Sequence, residues 1–281
     1  MSREKTGPDF VEALARGLDV IKAFGTRRRP MSLSEIASET GLARATARRI
    51  LLTLEQLGYV RSSPAGYLLA PRVLELGVAY TLSAGLWEIA QPHLRELVAA
   101  TGQAASVAQL DGADIIYVAR VAVPKVVATV INVGTRFPAR STALGKTLLS
   151  ALAPDDLAAA LDAPSASGTP AFRERPIGRL EDDLREIRSR GWAETDEEMS
   201  PGVRSIAAPI RDGDGTVIAA VNVSALVAEV SHETMIEEYL PLLLVAASEI
   251  GRDYALLRDT PQEQVTARSA SRRRSEPTRA R

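Results

Sequence analysis

The 281-residue chain contains no cysteine. Disulfides, thiolate metal sites and cysteine nucleophiles are therefore excluded. Histidine is scarce too, with only His93 and His232 available for general-base or metal work. The apolar runs are short and interrupted, far below the length that spans a bilayer. The start, MSREKTGPDF, lacks the hydrophobic core of a signal peptide, so a cytoplasmic protein with no membrane partner is expected. No serine elbow accompanies either histidine. Asp155-Asp156 and Asp182-Asp183 fall at expected helix starts, where acids stabilise free amides, and Gly213 and Gly215 bracket a hairpin turn. Neither catalytic residues, nor a metal site, nor a cofactor is expected.

What is present divides unevenly along the chain. The length suits two domains, each able to bury its own core. Residues 1–82 carry 12 Lys/Arg against 8 Asp/Glu, residues 83–267 carry 16 against 26, and residues 268–281 carry 6 against 1. A basic head, an acidic body and a basic tail point to a polyanion met by the head.

The head centres on SLSEIASETGLARATARRILLTLEQLG, residues 32–58. Before it, Phe10, Leu14, Leu18, Ile21 and Phe24 recur at helical spacing and predict a helix over 9–25 that stops at Gly25. The basic loop 26–30 is a solvated turn or a phosphate contact. Ser32 and Glu35 have the S-x-x-E form of a capping box, and Gly41 ends the second helix. In the third, Ala47, Ile50, Leu51, Leu54 and Leu57 form the packing face. The opposite face presents Ala45, Arg48, Arg49 and Gln56, with Arg44 and Thr46 at its rims and Leu52 lacking an explanation beyond a partner contact. Two short strands, 59–61 and 67–69, surround a turn at 62–66. Three helices and a hairpin make a winged helix-turn-helix. Such a third helix suits the DNA major groove, where Arg44 and Thr46 would position on phosphate and Arg48, with Arg49 behind it, would approach base edges.

Residues 71–83 read as a linker helix whose apolar positions would pack on a second copy. A helix over 86–100, interrupted by Pro92, precedes a change to strands at 105–110 and 115–121, joined by a hairpin turn. Further strands are expected at 126–133, 192–197, 205–210 and 217–223. Helices are expected at 141–152, 154–161, 180–190 and 233–258, with a surface loop over 165–176. Strands and helices in this order imply an α+β domain on an antiparallel sheet. The domains are placed at 1–70 (winged helix-turn-helix), 71–84 (linker helix) and 85–260 (sensor), followed by a disordered basic tail, 261–281.

The segments FVEALARGLDVIKAFG, GLARATARRILLTLEQLGYV, YLLAPRVLELGVAY, DGADIIYVARV, VGTRFPARSTALGKTLLSAL and GVRSIAAPIRDGDGTVIAAVNVS together resemble the IclR-type transcriptional regulators from about Phe10 to Arg258. The ARRILLTL form of the third helix and the IAQPHL run are most similar to the branch that controls aromatic-acid catabolism through β-ketoadipate. The resemblance implies a GAF-like α+β effector-binding domain and a small carboxylate such as protocatechuate, 4-hydroxybenzoate or β-ketoadipate. It places the pocket at Arg140, Ser141 and Ala143, at Thr195 and Asp196, at Ser205, and at Asn222 and Ser224. Asn222 and Ser224, two apart on a strand, share one face. Polar groups buried there need partners, which a ligand, the backbone or water could supply. Arg140 stands where the family has a histidine or an aromatic residue, and would pair with a carboxylate or face solvent. Arg204 is the other candidate cation. The three acids 196–198 suit a solvated loop, leaving Asp196 at the pocket edge.

The expectation is a regulator of operator DNA, homodimeric or homotetrameric, controlled by a small organic acid. An effector-independent architectural DNA binder is the alternative, and an enzyme fused to a DNA-binding head lacks a base or nucleophile.

Overall fold

The computed structural model describes residues 7, 9–26, 29–77, 80, 85–123, 131–173 and 176–259. The chain forms two compact units, Met1–Ala84 and Gly85–Arg281.

The first unit holds α1 (Glu12–Ala23), a 3-10 turn (Phe24–Thr26), α2 (Leu33–Thr40), α3 (Arg44–Gln56) and an antiparallel hairpin of β1 (Val60–Ser63) and β2 (Gly66–Leu69). Both halves of the capping box form: Ser32 Oγ accepts from the Glu35 amide at 3.3 Å, and the Glu35 carboxylate accepts from the Ser32 amide at 2.8 Å. Arg29, from the basic loop, donates to Glu35 at 2.6 Å. That bond and the Ser32 bonds lower the Glu35 carboxyl to about 2. Gly41 closes α2 with φ 65°, a left-handed conformation that favours glycine. Val20, Phe24, Met31, Ile36, Leu51, Leu54 and Val60 form the core.

Helix α1 departs from expectation. It starts at Glu12, and Phe10, Leu14 and Leu18 are 43–64% exposed. Only its C-terminal end, at Val20 and Ala23, is buried. Leu57 is also exposed, because it caps α3 beyond the packed face. The expected linker helix opens with a 3-10 turn, Pro71–Val73, and stays helical to Gly77. Residues 78, 79 and 81–84 of that expectation lie outside the described residues, as do the tail 261–281 and positions 27 and 28 of the basic loop.

In the second unit α4 (Leu86–Thr101) leads into β3 (Ala104–Asp111), β4 (Asp114–Val121) and β5 (Arg136–Pro138). Pro92 sits inside α4 without interrupting it. The strand expected over 126–133 is not found at 131–133, and 126–130 lie outside the described residues; β5 pairs with β4 instead. Then come a 3-10 turn (Ala139–Ser141), α5 (Ala143–Ser150), α6 (Pro154–Asp162), α7 (Ile177–Arg190), β6 (Ala193–Asp196), β7 (Val203–Arg211), β8 (Val217–Leu226) and α8 (Leu240–Asp259). A π-helical turn, Met235–Tyr239, precedes α8. Pro241, two residues past its end, lacks the amide that a regular helix would use there.

The six strands form one antiparallel sheet in the order β5-β4-β3-β8-β7-β6. Strand alternation sends Val107, Val221 and Val223 towards Leu94, Leu243 and Ile250 on α4 and α8. Ala108, Ala207 and Ala220 point the other way, towards Leu144, Leu149 and Leu184 on α5 and α7. Gly145 lets α5 lie against the preceding turn, because a Cβ there would come within 2.0 Å of the Ala139 carbonyl oxygen.

Lys146 on α5 is buried, with 1% of its side chain exposed. Its ammonium meets Glu198 at 2.8 Å and Asp183 on α7 at 3.2 Å. Glu198 is itself 4% exposed, so of the acid run 196–198, expected to be solvated, Asp196 is exposed but Glu198 is not. Removing one partner of such a pair strands a buried charge and costs about 3–5 kcal/mol, whereas replacing both with apolar groups is close to neutral. Lys146→Met should therefore lower unfolding stability in urea by about that amount. The double variant Lys146→Met/Glu198→Leu should recover most of the loss; equal destabilisation by both would show that the charge pair is not what holds α5 to this segment.

Candidate functional site

The exposed face of α3 carries Arg44, Ala45, Arg48 and Arg49, with Thr46 half-buried at its edge and Ala47, Leu51 and Leu54 buried beneath. The three arginines make no ion pair among the described residues. Leu52 is 43% exposed on the same side. The hairpin is fixed beside this helix from two directions. Glu55 of α3 accepts from the Ser62 amide at 3.1 Å and from its hydroxyl, and Met31 pairs with Tyr67 through bonds of 2.9 and 2.8 Å. Gly66, at φ 127°, leaves room for that second contact, since a Cβ would lie 2.6 Å from the Met31 carbonyl oxygen. A cationic helix face free of internal salt bridges, beside a rigid hairpin, can engage a polyanion.

In the second unit a cavity of about 130 Å³ opens on the α5 side of the sheet. Five expected residues line it: Ala143, Thr195, Ser205, Asn222 and Ser224. Three do not. Ser141 is buried in the turn before α5 but lies outside the lining. Arg140 is exposed and borders a different depression with Pro138, Ala160 and Ser165. Asp196 is exposed because strand alternation turns it away from Thr195, and it pairs with Arg204 at 3.0 Å. Arg204, the other candidate cation, is also tied to the Val230 carbonyl at 3.2 Å.

The cation at the cavity is instead Arg120 of β4, the one charged side chain in the lining among the described residues. It donates to Ser106 Oγ at 2.9 Å. Burial lowers its pKa, with a smaller opposing effect from Tyr117. A guanidinium nevertheless stays protonated in proteins. Burial also pushes the Tyr117 phenol up to about 12, so it is neutral. Tyr117 and Phe137 meet edge to face, with centroids 5.9 Å apart, and with Leu144 and Met199 they supply an apolar wall. Period-two spacing puts positions 117 and 120 on opposite faces, which hides the pair in the sequence. The register shift between Val107 and Ala108 inserts an extra residue on β4 and brings both to the cavity side.

Asn222 anchors the polar floor. Its amide nitrogen donates to Ser205 Oγ at 3.0 Å and Ser224 Oγ at 2.9 Å. Ser205 donates its only proton to the Val223 carbonyl at 3.1 Å, so it accepts from Asn222 and fixes the orientation of the side-chain amide. Asn222 Oδ1 is left buried without a partner among the described residues. A buried orphan acceptor costs on the order of 1–3 kcal/mol, a cost that a ligand's donor would remove.

Both units match known descriptions. Residues 13–64 match the IclR helix-turn-helix domain, and residues 78–252 match the bacterial transcriptional regulator IclR C-terminal domain. The Pca regulon regulatory protein of Pseudomonas putida is 39% identical over 250 residues, covering 86% of this chain and 84% of that protein. The solved structure of the regulator RHA06195 from Rhodococcus sp. RHA1 has 42% identity and a TM-score of 0.76, covering 88% of this chain and 100% of that one. The inducer-binding domain of PobR from Acinetobacter, solved as a double mutant in complex with 3-hydroxybenzoic acid, has 28% identity and a TM-score of 0.53; it covers 59% of this chain and 98% of that one. The chain belongs to the IclR family of bacterial transcriptional regulators.

Proposed function

We propose that this regulator binds operator DNA through α3 and is controlled by a hydroxylated aromatic carboxylic acid bound at Arg120 and Asn222. The observation that carries the effector assignment is the pairing, in one small cavity, of a single cation with an orphan acceptor. The cation takes a carboxylate as a charge-assisted pair. The acceptor takes a hydroxyl proton. Phe137, Leu144 and Met199 cover the ring between them. An apolar cavity of roughly 150 Å³ accommodates benzene, so about 130 Å³ suits one aromatic ring. The relatives support the same class: one regulates the Pca regulon, and another was solved with 3-hydroxybenzoic acid. β-Ketoadipate offers carboxylates to Arg120 but no hydroxyl donor to Asn222, and is disfavoured at neutral pH.

On DNA, Arg44 and Thr46 would hold phosphates while Arg48 and Arg49 approach base edges from the groove, with Ala45 small enough to let the helix in. A homodimer or homotetramer would present paired heads to two half-sites, and the acid would favour one head spacing over another.

Isothermal titration calorimetry should give saturable binding of 4-hydroxybenzoate or protocatechuate and much weaker binding of β-ketoadipate. Arg120→Met should weaken the hydroxybenzoate by about 30-fold, the loss of one charge-assisted contact worth about 2 kcal/mol. No heat with any of the three acids, in protein that still binds DNA, would remove the assignment. Separately, Arg48→Ala should weaken operator binding more than binding to random DNA, by about 1–3 kcal/mol. Equal losses on both would make Arg48 a phosphate contact.

A further inference from the structure

His93, in the IAQPHL run, plays no part in DNA or effector binding as described above. It stands on α4 three residues before Glu96, and faces Glu249 and Asp253, four residues apart on α8. Helical spacing puts each pair on one face of its helix. These helices cover the sheet face opposite the effector cavity, so the two sites are independent.

His93 Nε2 lies 2.9 Å from Asp253 Oδ2. That contact orients the ring and leaves Nδ1 turned towards Glu249. Nδ1 is buried with no hydrogen-bond partner among the described residues. It sits 3.4 Å from Glu249 Oε2, and one ligand atom each from His93, Glu96 and Glu249 lies within 4.8 Å of the others. A buried imidazole nitrogen without a hydrogen-bond partner among the described residues, beside two carboxylates, is a place where a cation is favourably held. The geometry is that of an imidazole oriented by a carboxylate behind it, as histidine ligands usually are.

We propose that His93, Glu96 and Glu249 form a divalent transition-metal site clamping α4 to α8, with Asp253 orienting the imidazole. One nitrogen and two carboxylate oxygens suit zinc or manganese, at about 2.0–2.2 Å for zinc. Water would complete the coordination.

The test uses the full chain, stripped with chelator and titrated with zinc chloride and, in parallel, manganese chloride. With no cysteine and one other histidine in the chain, background binding is low. One ion should bind per chain, and at one hundred times Kd the melting temperature should rise on the order of 5 °C. Asp253→Asn should weaken binding about tenfold or more. Glu96→Gln, at an exposed position that leaves the fold intact, should weaken binding at least as much and remove most of the thermal shift; His93→Gln should abolish both. His232→Ala should bind as the native chain does. No stoichiometric binding of either ion would overturn the site, leaving His93 as a clasp between carboxylates alone. Unchanged affinity in Glu96→Gln and His93→Gln would also overturn it, as would loss confined to His232→Ala, which would assign the ion to the His232–Glu194 pair.

Discussion

A buried charge must be answered by another, and the Lys146 ammonium between Glu198 and Asp183 meets that requirement. It draws α7 and the segment after β6 onto α5. Two of those pieces line the cavity: α5 begins with Ala143 and Leu144, and the segment after β6 contributes Met199 and Ser200. The backbone carries the tie outward, since the Arg173 amide donates to the Glu198 carbonyl at 2.8 Å. The pocket walls are thus positioned by a contact outside the cavity, which Arg120 and Asn222 line.

The two units use the same economy of polar groups for opposite ends. In the first, Arg29 is absorbed by Glu35 at the start of α2, while Arg44, Arg48 and Arg49 have no acid partner among the described residues. In the second, Arg204 and Arg136 are paired with Asp196 and with Asp111 and Asp114, and among the described residues Arg120 at the cavity has only a serine hydroxyl. In each unit the candidate site holds cations that no acid neutralises among the described residues.

Much of this was legible in the sequence where the controlling interactions are local. The Ser32–Glu35 cap, the Gly41 stop and the two faces of α3 follow from residues within a few positions of each other. The hairpin turn after Asp111 and the shared face of Asn222 and Ser224 follow from period two. The cation at the cavity was not legible, because the bulge on β4 breaks that period and brings Arg120 beside Tyr117. Glu198 looked solvated because its partner lies 52 residues earlier in the chain. Arg140 looked like a pocket residue because of its place in a motif, but the turn Ala139–Ser141 points it outward. Phe10, Leu14 and Leu18 have helical spacing, yet only the far end of α1 meets the core. Periodicity identifies a face without identifying what covers it.

The central claim is that an acid held by Arg120 and Asn222 changes how the head engages DNA. The most direct measurement is the affinity of the full chain for the DNA flanking its own gene, with and without saturating 4-hydroxybenzoate, in the native protein and in Asn222→Ala. A coupled site should shift the native affinity by about fivefold or more in either direction and leave the variant unmoved. An affinity that ignores the acid in the native protein, although the acid binds, would contradict the account.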